Sequence, residues 1–167
     1  TTLAQWLSNL KAAGTNVFFS SLQQIERELI KISKFMRSNK MVHFDGHPRN
    51  ILTDGKRLYL SDFGLATSSH FSLSEDELQF LDRHWNYDIA FSSFIIANET
   101  IEHFLGPDRS KIKPVMQSYA KGTPLLNIPQ EFNKLLFKYA PIASTMDDFF
   151  GELIKSKTTL FPSNQIE

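Results

Sequence analysis

The sequence predicts a mainly α-helical fold built around one small β-hairpin, and three features carry that expectation. Apolar residues recur at alternating steps of three and four, most clearly in Leu22, Ile25, Leu29, Ile32 and Met36, which marks a core-facing helical stripe. One hairpin signal interrupts the helical pattern, with Ile51-Leu52-Thr53 and Leu58-Tyr59-Leu60 flanking Asp54-Gly55. Glycine and proline then punctuate a second helical stretch at Gly106-Pro107, Pro114, Pro124, Pro129 and Pro141.

Each element has a local cause. Thr2 is placed to cap a short helix in which Leu3, Trp6, Leu7 and Leu10 share a face, and Gly14 stops it. Ser20 or Ser21 opens the second helix, with Gln23 or Gln24 positioned for a capping box, and its charged face of Glu26, Arg27, Lys31 and Lys34 reads as solvated surface. Residues 65–86 are polar and acidic, with one short helical pattern near Leu78 and Leu81, and read as a surface loop or as a mobile segment near a site. The next helix starts near Asp88 and is apolar nearly all round in its first half (Ile89, Ala90, Phe91, Phe94, Ile95, Ile96, Ala97), the pattern of a buried central helix. Shorter helices are expected over about 111–121, 129–139 and 142–155.

Composition narrows the class. The 167 residues are 41% hydrophobic and 22% charged, as expected of one ordinary globular domain. A formal net charge of zero gives no support for a nucleic-acid partner. The absence of cysteine excludes disulfides, thiolate chemistry and Cys-based metal sites and suits a reducing, cytoplasmic setting. No basic-then-apolar leader and no run of 18 or more apolar residues occurs, so neither export nor a membrane partner is expected. Fifteen Phe point to aromatic-rich helix packing.

The stretch His43-Phe44-Asp45-Gly46-His47-Pro48-Arg49-Asn50, followed by Asp62-Phe63-Gly64, carries the chemistry. Singly, Asp45 reads as a turn-capping acid, Asn50 as a turn amide and Asp62 as an Asx-turn acid. The hairpin joins them. With the turn centred between residues 54 and 55, Asn50 falls opposite position 59, and Asp62 lies three residues further along the same open end. That offset is about 10 Å, and a bend after Leu60 brings the two side chains to one ion.

The set Asp45, Asn50 and Asp62-Phe63-Gly64 resembles the catalytic-loop and metal-binding motifs of kinase-like phosphotransferases. Tyr87-Asp88-Ile89-Ala90 resembles the Tyr-Asp-Leu-Ala pattern of the aminoglycoside and choline phosphotransferase branch. The resemblance covers most of the chain and implies that 1–167 is a protein-kinase-like C-terminal lobe, its first helix following the interlobe hinge. It implies Asp45 as catalytic base, Asn50 and Asp62 as Mg²⁺ ligands on bound ATP, and Asp88 as a structural anchor of the central helix. His43 is then a scaffold for the loop. His47 either touches the γ-phosphate or packs within the loop. The chain contains no glycine-rich phosphate loop and no strand with an ATP-anchoring Lys, so a lobe cut from a longer protein is expected, with its N-terminal nucleotide-binding lobe as partner.

Phe44 stands where protein kinases carry the Arg of His-Arg-Asp, and no Ala-Pro-Glu follows Asp62-Phe63-Gly64. His47, Tyr87-Asp88 and the missing Ala-Pro-Glu favour a small-molecule hydroxyl acceptor over a protein Ser or Thr, while Asp62-Phe63-Gly64 itself is protein-kinase-like, and the intact acidic set disfavours a pseudokinase-like binding module. A competing arrangement, His43, Asp45 and His47 projecting to one side of an extended segment around a transition metal, is opposed by Gly46 and Pro48, which favour a turning loop.

Overall fold

A computed structural model describes residues 1–124 and 128–166, which divide into two compact units, Thr1–Ser92 and Ser93–Glu167. Both are helical. The only strands among the described residues form two small two-stranded sheets, so the chain is mainly α with a small β component.

In the first unit, Thr2 caps α1 (Leu3–Ala12) through a complete capping box with Gln5, and Leu3, Leu7 and Leu10 are buried. The second helix, α2, covers Thr15–Ser38 and so begins five residues before the expected Ser20. Gly14, at φ +105°, stands at its N-cap, a conformation a side chain would resist. Phe18 is fully buried in its first turns, and that burial carries the helix past the point where capping chemistry alone would start it. Gln24 forms no capping box and instead donates from Nε2 to the carbonyls of Gly55 (3.0 Å) and Lys56 (2.7 Å).

Two antiparallel pairs follow. Strand β1 (Met41–Val42) pairs with β4 (Thr67–Ser68), and β2 (Ile51–Thr53) with β3 (Leu58–Leu60). The first pair was not expected, because two residues are too few to show a period. Helix α1 packs on α2 and on β2, and the chain start runs beside the hairpin, where Thr53 donates its N–H to the Thr1 carbonyl at 2.8 Å. The 65–86 segment contains β4 and a helix, α3 (Glu75–Arg83), closed at its start by a Ser74–Glu77 capping box. It is therefore more ordered than a plain surface loop.

Helix α4 (Tyr87–Leu105) enters the second unit at Ser93, buries Ile95, Ile96, Ala97 and Ile101, and ends at Gly106 with φ +75°. Helix α5 (Arg109–Ala120) is capped by Asp108 and packs against α6 (Gln130–Lys155). The two helices expected over 129–139 and 142–155 are one. Pro141 removes a single backbone donor, while Leu136, Tyr139, Ala140, Ala143 and Met146 are buried along one face on both sides of it. Buried Asp147 is held by Arg109 and Lys113. Phenylalanines pair edge-on through this unit, as in Phe94–Phe150, Phe104–Phe132 and Phe149–Phe161, in line with the aromatic packing expected. Among the described residues, no helix is long and apolar enough to cross a membrane.

Candidate functional site

All the motif residues lie between β1 and β4. Pairing Met41 with Ser68 and Val42 with Thr67 clasps the two ends of the stretch, and Ser69 adds an N–H to the Lys40 carbonyl at 3.1 Å. The flanks of the motif are thus tied together by backbone bonds, independent of side chains. The near end of the loop is also tied to α1, since Ala4 donates its N–H to the Pro48 carbonyl at 3.0 Å.

Asp45 and Asn50 are in direct contact. The Asn50 Nδ2 donates to Asp45 Oδ2 at 2.8 Å and to the Asp45 carbonyl at 3.2 Å. One carboxylate oxygen is therefore occupied and oriented. The other, Oδ1, faces His47 Nε2 at 3.6 Å, too long for a hydrogen bond, and the Asp45 side chain is 33% exposed. His47 Nδ1 accepts the N–H groups of Arg49 and Asn50, both at 3.2 Å, so in the neutral ring the proton sits on Nε2, on the Asp45 side. Of the two roles left open for His47, packing within the loop occupies one ring nitrogen, and the other remains beside the acid.

The hairpin register differs from the sequence expectation in an instructive way. The pairs are Ile51↔Leu60, Leu52↔Tyr59 and Thr53↔Leu58, which places Asn50 opposite Ser61 rather than Tyr59. The turn holds four residues, not two. Asp54 Oδ1 accepts the N–H groups of Lys56 and Arg57, both at 2.8 Å, and this Asx-type cap defeats a tight Asp-Gly turn. Ser61 then donates both its N–H and its hydroxyl to the Asn50 carbonyl, each at 2.9 Å. Asp62 lies one residue beyond Asn50's partner, an offset of about 3.3 Å instead of about 10 Å. The bend after Leu60 is present as well, because Asp62 takes a left-handed conformation, φ +57° and ψ +73°, and its Oδ1 accepts the Gly64 N–H at 3.3 Å.

His43 braces this arrangement. The ring is buried, 1% exposed, and its Nδ1 accepts the Asp45 N–H at 3.3 Å. Its Nε2 donates to the Ser61 carbonyl at 3.1 Å, and Phe63 packs edge-on against it at 4.8 Å. One imidazole thus ties the loop bearing Asp45 to the strand end bearing Asp62. With both nitrogens engaged, His43 has no lone pair for a metal, and no group of three His, Cys, Asp or Glu able to hold an ion occurs among the described residues. The His43–Asp45–His47 metal arrangement does not form.

Asp88 anchors the same loop from α4. Its Oδ2 accepts the His43 N–H at 2.8 Å and its Oδ1 the Phe44 N–H at 3.2 Å. Burial pushes the Asp88 carboxyl above its ordinary range, against the pull of those two donors. Burial, with Asp88 and Asp45 nearby, pushes Tyr87 up to about 12. Phe44, between the two braced residues, has φ +64°, a left-handed conformation that costs a bulky side chain about 1–3 kcal/mol. A cavity of about 20 Å³ lies behind the loop against Ser33, Ser92, His43 and Asp88, room for one water. Ser61 and the turn of Phe44 escaped the sequence reading, and position next to Asp62 was the one signal available for Ser61.

By donor type alone, Asn50 and Asp62 suit a hard divalent cation. Asn50 Oδ1 and Asp62 Oδ2 accept no hydrogen bond among the described residues, and both are oxygen donors of the kind Mg²⁺ takes alongside water and phosphate. A recess of about 460 Å³ in the second unit has its carboxylates already occupied, Asp148 by Lys113 (2.7 Å) and Glu152 by Lys155 (2.9 Å). No family model matches the chain, and a search of curated proteins finds no match.

Proposed function

We propose that this chain is the kinase-like, catalytic-loop lobe of an ATP- and Mg²⁺-dependent phosphotransferase that acts on the hydroxyl of a small molecule in the cytoplasm. The observation that carries the reading is the Asp45–Asn50 contact at 2.8 Å, set beside Asp62 by the Ser61–Asn50 pairing. Asn50 holds one Asp45 oxygen and leaves the other, beside His47 Nε2, to take the proton of an acceptor hydroxyl as it attacks. Asn50 Oδ1 and Asp62 would hold the cation, which when bound neutralises charge on the nucleotide phosphates. His47 Nε2, 39% exposed in its side chain, adds a donor at the same mouth. The remaining nucleotide contacts belong, in this proposal, to an N-terminal lobe of the same protein. Phe44 in place of an arginine supports a small acceptor over a protein Ser or Thr, because a phosphorylated segment would find no arginine at this position.

The test is a single-turnover assay beside thermal melts of the full-length protein. Asp45→Asn is nearly isosteric, so it should keep its melting temperature and nucleotide binding while the chemical step falls by about 10²–10⁴-fold. Asp62→Ala and Asn50→Ala should abolish Mg²⁺-dependent transfer with the fold retained. A normal rate in a destabilised Asp45→Asn would reduce Asp45 to a loop cap and end the proposal.

A further inference from the structure

We infer that α3 is a positioning element for Asp45, acting through the ring of Phe44, so that the docking of this helix orders the loop. Only its consequence for rate rests on the phosphotransferase reading; the packing does not.

Phe44 directly precedes Asp45 and holds φ +64°. A bulky residue persists in that conformation where its surroundings over-determine it. The backbone side is supplied by Asp88, which takes the Phe44 N–H. The ring side is supplied by three aromatic neighbours, with centroids at 5.5 Å for Phe80, 5.8 Å for His84 and 5.3 Å for Tyr87. Phe80 and His84 are one helical turn apart at the end of α3 and stack on each other at 3.9 Å. The His84 Nδ1 donates to the Phe80 carbonyl at 2.7 Å, so the two rings form a preassembled seat. Burial pushes His84 below its ordinary pKa, against the pull of its bond to the Phe80 carbonyl.

Phe80 is the informative member, because it is 47% exposed. It contributes little to the core of the unit, where Leu81 is the buried residue of α3, yet it covers Phe44. Asp88 and His43 hold the N–H groups of Phe44 and Asp45, so loss of the Phe80 ring removes packing from the Phe44 side chain and thereby loosens the aim of the Asp45 carboxylate at Asn50. The Asp88 clamp alone holds an N–H and leaves the ring direction open.

The experiment compares Phe80→Ala with Phe80→Tyr in the full-length chain, the second keeping the ring. Hydrogen exchange at the Phe44 and Asp45 amides needs no turnover, and Phe80→Ala should speed it by about tenfold or more while Phe80→Tyr matches the native protein. In the same pair, kcat should fall by about 10–100-fold for Phe80→Ala with KM for ATP unchanged, and return for Phe80→Tyr. His84→Gln removes the second ring and is read in the same way should Phe80→Ala unfold. Native exchange rates in both ring-deleting variants, or an equal loss in Phe80→Tyr, would overturn the inference. A native protein without transferase activity would instead overturn the function proposed above and leave the exchange result standing.

Discussion

At Asp88, burial and hydrogen bonding pull one carboxyl in opposite directions, and burial prevails. Its folded pKa is raised above the ordinary 3.8, so the fold prefers the protonated form relative to the unfolded chain. That preference contributes stability which is complete below the unfolded value and is lost as pH rises through the folded one. Thermal melts of the native protein should therefore decline above about pH 4 relative to Asp88→Asn, which cannot ionise. A difference between the two that rises with pH would mean that the two N–H donors outweigh burial. His43 belongs to the same scale. The resemblance implied a scaffold, and its two ring nitrogens are spent on the Asp45 N–H and the Ser61 carbonyl.

The elements follow local rules where a cap or a period acts, and depart from them where burial does. Thr2 closes α1 with a capping box, and α1 in turn holds the Pro48 carbonyl and the hairpin edge. Thr2→Ala should cost about 0.5–2 kcal/mol in urea denaturation, since one orphan donor of the first turn loses its acceptor. Pro141 is the opposite case. It stands inside the continuous α6, it is exposed, and its ring adds little packing. Pro141→Ala should raise the denaturation midpoint, with a gain in stability of up to about 3 kcal/mol, by restoring the missing N–H and relieving the ring. An unchanged or lower midpoint would show that α6 already bends to accommodate the proline.

For the whole molecule, the consequence of the proposed function is a site with phosphate-side ligands and no glycine-rich cradle in its own 167 residues. On that proposal the chain alone should bind ATP weakly and show no transferase activity, because the proposal assigns most adenine and phosphate contacts to an N-terminal lobe. Calorimetry on residues 1–167 checks this, and micromolar affinity would mean that these residues suffice.

Much of the architecture was legible in the sequence because its causes are local. The α2 stripe, the apolar α4 and the existence of the hairpin depend on periods within a few turns of chain. The spacing of Asp45, Asn50 and Asp62 marked the candidate residues for the same reason. What the sequence could not determine was decided by groups distant in the chain or by competition between local signals. The β1–β4 clasp joins Met41 to Ser68, too short a pair to leave a pattern. The hairpin register turned on whether Asp54 would sit within a tight turn or cap a wider one, and its carboxylate capped two N–H groups. That one choice moved Asn50 from Tyr59 to Ser61 and brought Asp62 alongside. Phe44's left-handed turn required Asp88 behind it and the α3 rings above it, contacts that exist only once the chain is folded, because strain at one residue is held by packing contributed by others.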